Sequence, residues 1–416
     1  MKNTTRIKLF QSFPTYLRGF LTKVLSSIKP PSPEVEESIL GIRQFINRDA
    51  PKARALLVFS PSAWSKALRD SPNIRFFNYE GLIFEIVKVL NSHGYEVDIV
   101  SLRAPEIPRP PYKLMIAHGG HCRGILDKIG NETVILQYVS GCFWPTFNRE
   151  TDERYQDFSK RRRPRKPLAV RRSLEGLVEG EAMLTERADY LFSIGLSRML
   201  NSFGEYGNKF FTTGLGAYPD TALSIPTNTR NFRHGRKNFI YVAGTGGNIQ
   251  KGLDVLLEAF SLNLDLHLYI YCKVEKEVIE YCSDFLDSEN IHYIFDLRLT
   301  RSGQRKLTSL MKNICFTVHA GINSGLGTAF SGSIGLGLIP VGYIDLKSDE
   351  SWNVLSDSWQ PSSLAETFRD ASNKPIAWCE IASMRAVQEY NDHWTSAAFA
   401  EKFESLVNRV ESEKFI

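Results

Sequence analysis

A glycine turn between a predicted strand and a predicted helix could bind a phosphate group. In the segment from Phe239 to Phe260, an apolar run leads into Gly244-Thr245-Gly246-Gly247, and a second apolar run follows. Glycines let the backbone approach an anion closely, and the first turn of a helix offers free N–H groups and a positive dipole. Lys251 would add a positive charge beside the phosphate. The spacing matches neither the P-loop nor the G-x-G-x-x-G dinucleotide pattern, so an ordinary glycine turn remains the alternative.

Two histidines follow another apolar run. His118-Gly119-Gly120-His121 comes directly after Leu114–Ala117, a run that is typical of a strand. Either imidazole could contact a phosphate or act on an acceptor hydroxyl, since histidine exchanges a proton near neutral pH. A structural histidine in a glycine turn is the other interpretation. We expect no metal site, because too few further ligands can be named beside these two side chains.

Short apolar runs alternate with amphipathic segments along most of the chain, which predicts βα units and parallel sheets. Strands are predicted in the first half at 55–59, 96–100, 114–117, 133–136 and 188–194, and in the second half at 239–242, 266–271, 291–295 and 315–319. Helices are predicted at 81–90, 253–260, 304–311 and 396–410. The polar, aromatic and basic segment 143–172 predicts a long loop or a pair of irregular helices.

The segment 223–236 contains Pro, Asn and Gly and indicates a linker between two α/β halves of similar size. The expected domains are an N-terminal basic helix and linker at 1–50, a first domain at 51–230 and a second at 231–385, followed by a helix in 386–416 that could cross back to the first domain. Open parallel sheets bind ligands at the carboxyl ends of their strands, so a cleft between the two halves is the expected site.

Positive charge is concentrated in two segments. Residues 1–29 carry +6 and residues 160–172 carry +8, so the net charge of +5 for the whole chain leaves −9 for the rest. Nucleic-acid-binding proteins usually spread basic side chains over a whole face, so we expect no nucleic-acid partner. The run at 160–172 could dock a polyanionic acceptor or touch an anionic membrane surface, and a solvated loop is the alternative.

The N-terminal segment predicts an amphipathic helix. Its apolar residues fall on one helical stripe, with basic residues beside them and prolines after them; they are Leu17, Phe20, Leu21, Val24, Leu25 and Ile28. Such a helix could lie on an anionic membrane face, or it could pack on the body of the protein. No uncharged apolar run approaches the ~20 residues of a membrane-spanning helix. Six scattered cysteines without a C-x-x-C pair indicate reduced thiols in a cytoplasmic protein, so we expect a cytoplasmic location, with peripheral attachment to the inner membrane face as an open alternative.

Three segments resemble the retaining nucleotide-sugar glycosyltransferases of group 1 (family 4-like). The string KGLDVLLEAF follows the strand and glycine turn, and the segment His319 to Tyr343 resembles the donor-binding region of that family. Glu186–Gly195 resembles the last strand of its first domain. Within the second segment, the matching residues are Gly325, Gly327, Gly337, Pro340 and Val341. The resemblance implies an α/β protein with the GT-B fold, which has two Rossmann-like domains with a cleft between them.

The resemblance also implies an activity and a site. The protein would move a sugar from a nucleotide diphosphate sugar to a hydroxyl of a glycan or lipid-linked glycan with retained configuration, as in cell-surface polysaccharide or lipopolysaccharide synthesis, and it would need neither a cofactor nor a metal. The donor-binding residues it implies are Gly244, Thr245, Gly246, Gly247, Lys251, Lys273, Ser324, Gly325, Leu326, Gly327 and Thr328. The catalytic residues stay open, with His118, His121, Glu80 and Tyr138 as candidates. Glu80 opens the first helix, where a carboxylate could equally serve to interact with the helix dipole.

The chain departs from the family pattern at positions that matter. Ser324 and Gly332 stand where the family has two glutamates, Thr245 stands where it often has an arginine, and Tyr138 stands where it often has a histidine. One outcome is an active transferase that relies on donor positioning and backbone donors. Another is a degenerate protein that binds a sugar nucleotide or glycan without transfer. A nucleotide-sugar epimerase shares the architecture, but no carboxylate remains at the two positions to act as its acid or base.

Overall fold

The computed structural model describes residues 38–415 except 47–49, 70–78, 103, 105, 169, 171–174, 216–222, 225–228, 245, 323–326 and 347–348. The predicted amphipathic helix within residues 1–29 therefore lies outside the described residues.

Among the described residues, the first sheet has seven strands in the order β1-β3-β2-β4-β5-β6-β7. Edge strand β1 runs antiparallel to β3, and the other neighbours are parallel. Because both faces of the central strands are covered, these strands are continuous apolar runs and were predictable as such. The strands are β1 (Ile39–Ile42), β2 (Ala53–Val58), β3 (Tyr95–Val100), β4 (Leu114–His118), β5 (Val134–Val139), β6 (Tyr190–Ser193) and β7 (Phe210–Thr212).

The second sheet, in the part of the chain that the structure describes, has six strands, all parallel, in the order β10-β9-β8-β11-β12-β13. Stacked aromatic rings of Phe239 and Phe316, with centroids 4.7 Å apart, join its two central strands. The strands are β8 (Asn238–Val242), β9 (His267–Tyr271), β10 (Ile291–Tyr293), β11 (Phe316–His319), β12 (Ile339–Gly342) and β13 (Val354–Leu355).

Helices connect the strands of both sheets. In the first half they are α1 (Pro61–Arg69), α2 (Tyr79–Ser92), α3 (Arg123–Leu126), α4 (Trp144–Arg162), α5 (Glu175–Arg187) and α6 (Ser197–Ser202). In the second half they are α7 (Phe232–Gly235), α8 (Leu253–Ser261), α9 (Lys276–Tyr281), α10 (Ser283–Leu286), α11 (Arg301–Met311), α12 (Thr328–Gly335), α13 (Pro361–Asn373) and α14 (Ile376–His393). Short 3₁₀ helices span Gly120–Cys122, Gly204–Lys209 and Phe295–Leu299.

The last helix, α15 (Ser396–Lys414), packs on the first sheet. Thr395 caps its start by accepting a hydrogen bond from the amide of Ala398 at 3.1 Å. Phe403 meets Phe192 of β6 with ring centroids 5.4 Å apart. This helix follows the second half in the chain and covers one face of the first core.

Within the segment 143–172, the prediction of a long loop or a pair of irregular helices is wrong for Trp144–Arg162, because these residues form the single 19-residue helix α4. Its buried residues follow a helical spacing and are Glu150, Thr151, Arg154, Tyr155 and Phe158. Several of these buried side chains are charged or polar. A packed helix is usually recognised in a sequence by a stripe of apolar residues. The buried face of α4 contains charged residues, so the sequence did not indicate a packed helix there. The predicted strand at 291–295 is also shorter, since a 3₁₀ helix begins at Phe295.

Candidate functional site

The strand order of the second sheet places a ligand crevice between β8 and β11. The chain runs outward from β8 through β9 to β10, and then outward on the other side from β11 through β12 to β13. In open parallel sheets, ligands bind outside the carboxyl ends of the strands at this reversal. The loop after β8 contains the glycine turn and Lys251, and the loop after β11 leads to α12.

These two loops touch through backbone atoms. Gly252, which precedes α8, has a φ of +82°. A Cβ on this residue would come within 2.4 Å of the carbonyl oxygen of Ala320 in the neighbouring loop. Glycine is required here for both reasons, since it accepts a positive φ and leaves room for the approach. The loop that carries Lys251 is thus fixed against the loop that leads to α12.

Lys251 lies over the glycine turn. Its Nζ atom donates a hydrogen bond to the carbonyl oxygen of Gly246 at 2.7 Å and lies 3.5 Å from that of Gly244. The side chain is partly exposed. The ammonium group therefore lies at the crevice, where it could contact a bound anion.

Glu275, which the sequence analysis did not single out, clamps the same turn. Its two carboxylate oxygens accept hydrogen bonds from the amides of Gly247 at 3.0 Å and Asn248 at 2.7 Å. Its own amide donates to Oδ1 of Asn248 at 2.6 Å. The turn thus forms a nest of amides that binds an anion, and the anion is a carboxylate of this chain. Two amides near the predicted phosphate are already used.

His319 lies at the carboxyl end of β11 and is 7% exposed. A Cβ on Gly321 would come within 2.5 Å of its Nε2 atom. Burial, together with the nearby charge of Lys251, lowers the pKa of the imidazole to about 4. The ring is therefore neutral at pH 7 and can take part in hydrogen bonds without adding a charge.

The start of α12 lies beside His319. The imidazole packs on Phe330, in the first turn of this helix, with ring centroids 5.1 Å apart. Gly327 precedes the helix with an extended backbone and, as a glycine, has no side chain of its own to cap the helix. The first amides of α12 thus lie close to His319, and their dipole favours an anion.

The structure brings some of the predicted donor-binding residues together and does not describe others. The glycine turn and Lys251 meet the loop after β11 at the crevice, and Gly327 and Thr328 begin α12. Lys273 is exposed and follows β9, the strand next to β8. The predicted residues Thr245, Ser324, Gly325 and Leu326 lie outside the described part of the chain.

The first sheet carries His118 at its own reversal point, between β2 and β4. Nε2 of His118 lies 2.9 Å from Oγ of Ser140, and the ring stacks on Phe59 with centroids 6.1 Å apart. Tyr138, opposite His118 in the sheet, is 4% exposed and packs between His118 and Phe192. Tyr138 is therefore part of the core. Glu80 lies in the first turn of α2 and His121 lies in a 3₁₀ helix, but their side chains are not among those described.

The carboxyl ends of the two sheets face each other. Arg198, in α6 after β6, donates from its backbone amide to Asp345 at 2.7 Å and from its guanidinium to the hydroxyl of Tyr343 at 2.9 Å. Both acceptors follow β12 of the second sheet. Gln250, next to Lys251, donates to the hydroxyl of Thr151 in α4 at 3.1 Å. The two crevices thus open toward the same region between the halves.

A cluster of buried charges joins α4 to α8. Arg154 is fully buried, pairs with the fully buried Asp254, and donates to the carbonyl oxygen of Ile249 at 3.0 Å. Arg161 contacts the same aspartate at 2.5 Å and Glu258 at 2.7 Å. The guanidinium of Arg154 also stacks over the ring of Trp359, 4.6 Å from its centroid. These contacts fix α4 against the start of the helix that follows the glycine turn.

This cluster corrects part of the prediction for residues 160–172. Arg161 and Arg162 both pair with Glu258 of α8, so these two cations face the second half of the protein and do not face an external anion. Lys160, Arg163, Arg165 and Lys166 are exposed.

Metal ligands, membrane-spanning helices and disulfides were also considered as features of the described residues. Within the described ranges, no group of three or more His, Cys, Asp or Glu side chains is placed to hold a metal ion. No helix of the described part of the chain is long and apolar enough to cross a membrane. All six cysteines are buried and form no disulfide.

No protein-family model matches the sequence, and no curated protein matches it. Several solved structures share its fold. A glycosyltransferase from Rickettsia africae is 9% identical with a TM-score of 0.53, over 87% of this chain and 100% of the other. Anabaena HepE in complex with UDP and glucose is 8% identical with a TM-score of 0.51, over 86% of this chain and 99% of the other. The expected GT-B architecture, with two Rossmann-like α/β halves, is thereby confirmed.

S. aureus TarM, solved in complex with UDP, is also similar, at 10% identity and a TM-score of 0.46 over 71% of this chain. The chain spans 55% of the length of that protein.

Proposed function

We propose that this protein is a glycosyltransferase that moves a sugar from a nucleotide diphosphate sugar to a hydroxyl of a glycan or lipid-linked glycan. The observation that carries the proposal is the meeting of Lys251, His319 and the start of α12 at the reversal point of the second sheet. The fold similarity to a structure with bound UDP and glucose supports the same placement. The second half would hold the donor, and the first half would hold the acceptor.

The donor diphosphate would lie between Lys251 and the first amides of α12. The ammonium group supplies a full positive charge, and the helix start supplies N–H donors. His319 is neutral, so it would donate or accept one hydrogen bond and leave the charge balance to Lys251. This arrangement would stabilise the negative charge that develops on the leaving phosphate.

Transfer on this proposal depends on positioning. Ser324 and Gly332 stand where a carboxylate would be expected from the family resemblance, so no protein nucleophile is proposed there. The donor would be held by its diphosphate in the second half, and the first half would supply the acceptor. Because no protein nucleophile is proposed, retained configuration requires the acceptor hydroxyl to reach the anomeric carbon on the face from which the diphosphate departs. The bond from that carbon to the phosphate oxygen breaks as the bond to the acceptor oxygen forms, and the nucleoside diphosphate leaves. His118, paired with Ser140, is the described side chain on that side that could take the proton. Glu80 and His121 stay candidates for the acceptor side.

We propose a cytoplasmic location with peripheral attachment to an anionic membrane. Six buried cysteines without disulfides support a reducing compartment. The attachment would use residues 1–29 and the exposed cations of the second basic segment, namely Lys160, Arg163, Arg165 and Lys166. No metal or cofactor is proposed for the reaction.

The alternative is a protein that binds a sugar nucleotide or glycan without transferring a sugar. The carboxylate of Glu275 favours it, because this group occupies the amides of Gly247 and Asn248 and repels a second anion there. Turnover distinguishes the two proposals. Hydrolysis or transfer with any member of a panel of UDP-, GDP-, ADP- and dTDP-sugars supports the transferase, whereas binding without turnover supports the alternative.

The test of the donor site is the substitution Lys251→Ala. Donor affinity should fall by more than roughly tenfold, because a charged hydrogen bond to a phosphate contributes about 1.5–3 kcal/mol. The donor is first identified by thermal-shift screening, because a ligand that binds the native state raises the melting temperature of the protein. Lys306→Ala, an exposed lysine of α11, is the matched control. Equal donor affinity of both variants and the wild type would place the diphosphate elsewhere.

A further inference from the structure

A basic cavity lies at the amino edge of the first sheet, on the edge opposite to His118. It has a volume of about 510 Å³, and the ends of β1, β2, β3 and β4 contribute to its lining. Its charged lining residues are Arg43, Lys52, Arg54, Glu96, Arg109 and Lys113. The cavity is therefore distinct from the candidate donor and acceptor sites, which lie at the carboxyl ends of the strands.

Three of these cations are neutralised within the chain. Arg43 and Arg109 both pair with Glu96, whose side chain is 3% exposed, and Arg109 also pairs with the fully buried Asp98. Lys52 pairs with Glu411 of α15 at 3.0 Å. A buried carboxylate needs a positively charged partner. These pairs therefore explain why three of the five cations, Arg43, Lys52 and Arg109, are present.

Arg54 and Lys113 have no carboxylate partner among the residues that the structure describes. Arg54 donates from Nη1 to the carbonyl oxygen of Arg109, which holds its guanidinium at the cavity. The amide of Lys113 donates to the carbonyl oxygen of Arg54 at 3.0 Å, so the two residues lie side by side on neighbouring strand ends. The ammonium group of Lys113 lies 5.8 Å from the centroid of the Phe415 ring, which carries no charge to neutralise it. An anion in the cavity would compensate the positive charge of both side chains.

We propose that this cavity binds a phosphate group. Counting Asp98 and Glu411, the five cations face three carboxylates, which leaves a net charge of +2. A phosphate group compensates that charge by one unit as a diester and by about two units as a monoester, and the N–H donors of a guanidinium and an ammonium suit its several oxygens. The phosphate can belong to a free phosphorylated compound or to the headgroup of an anionic lipid.

The test compares two sources of phosphate in the full chain. Pyrophosphate binding is measured by calorimetry in a Lys251→Ala background, so that the proposed donor site contributes little. Binding to vesicles is measured by flotation, with and without phosphatidylglycerol. The double substitution Arg54→Gln with Lys113→Gln should weaken binding by roughly tenfold or more. The loss should appear in the pyrophosphate measurement if the natural ligand is a free phosphorylated compound, and in the vesicle measurement if it is a lipid headgroup. The charge-matched control is Arg305→Gln with Lys306→Gln, two exposed cations on α11.

Each outcome decides the proposal. Pyrophosphate binding that the paired substitution abolishes supports a free phosphorylated ligand, and loss confined to phosphatidylglycerol vesicles supports a lipid headgroup. Unchanged binding in both arms, or no binding by the unsubstituted cavity in either arm, overturns the proposal. If the double variant fails to fold, the single substitution Lys113→Gln replaces it in the test. This substitution alters an exposed side chain and should also reduce binding. None of these results depends on whether the protein transfers a sugar.

Discussion

Replacing Asp254 by asparagine tests whether the buried charge cluster holds the two halves together. Asp254 and Arg154 are both fully buried, and Arg161, at 16% exposure, shares the same carboxylate. The asparagine keeps the size of the side chain and one acceptor oxygen, but it removes the charge. Arg154 then keeps Asp157, at 3.4 Å, as its one described carboxylate partner, and two guanidinium groups repel each other in a buried environment.

The expected loss of stability is about 3–5 kcal/mol, because removing one partner of a buried pair leaves an uncompensated charge. The matched control is Asp265→Asn. Asp265 also contacts two cations, Lys237 at 3.1 Å and Arg369 at 2.8 Å, but its side chain is 44% exposed. Exposed pairs contribute about 0.2–1 kcal/mol each.

The assay is urea unfolding of both variants and the wild type, followed by circular dichroism and by tryptophan fluorescence. Asp254→Asn should lower the urea midpoint strongly, and Asp265→Asn should lower it slightly. Equal shifts for the two variants would refute the reasoning, since burial is the difference between the two aspartates. A large shift in the control alone would refute it as well.

Two further substitutions test the site and its surroundings. Gly252→Ala should destabilise the protein by at least about 1–3 kcal/mol, because its φ of +82° strains any other residue and the new Cβ meets Ala320. Gly130→Ala, where no atom lies within 4 Å of an added Cβ, should change the melting temperature little, and similar losses for both would contradict the packing argument. Burial raises the pKa of Glu181 to about 7 from the ordinary 4.5, so the folded state keeps a proton that the unfolded state releases between those values. Stability should therefore fall as pH rises through this interval, and Glu181→Gln should gain up to roughly 3 kcal/mol at about pH 8 but little at about pH 4. Urea midpoints at the two pH values measure this gain, and an equal effect at both would count against it.

The strands were predictable because each is a local feature. A strand that is covered on both faces must be apolar at nearly every position, as in β2 and β4, and this pattern needs no knowledge of its neighbours. The helix α4 was not predictable in the same way. Its buried face includes Arg154, whose partner Asp254 is 100 residues away in the chain. Only the tertiary structure shows that this charge is compensated.

The candidate site also contains some residues that the sequence could predict and others that it could not. The glycine turn and Lys251 have a local signature, since glycines after a strand and before a helix mark a place where an anion can approach the backbone. Glu275 and His319 have none. Glu275 is 28 residues from Gly247, whose amide it accepts, and His319 is neutral because the fold buries it beside Lys251.

The sequence by itself determined the alternation of strands and helices, the position of the glycine turn, and the concentration of positive charge in two segments. These properties depend on neighbouring residues, and short-range periodicity and composition are sufficient to reveal them. The tertiary structure decided which charges are paired. It placed Arg161 and Arg162 against the second half, buried Tyr138 in the core, and left Arg54 and Lys113 side by side at a cavity. The free energy of a charge depends on its distance from other charges and from water, and that distance is set only when the chain folds.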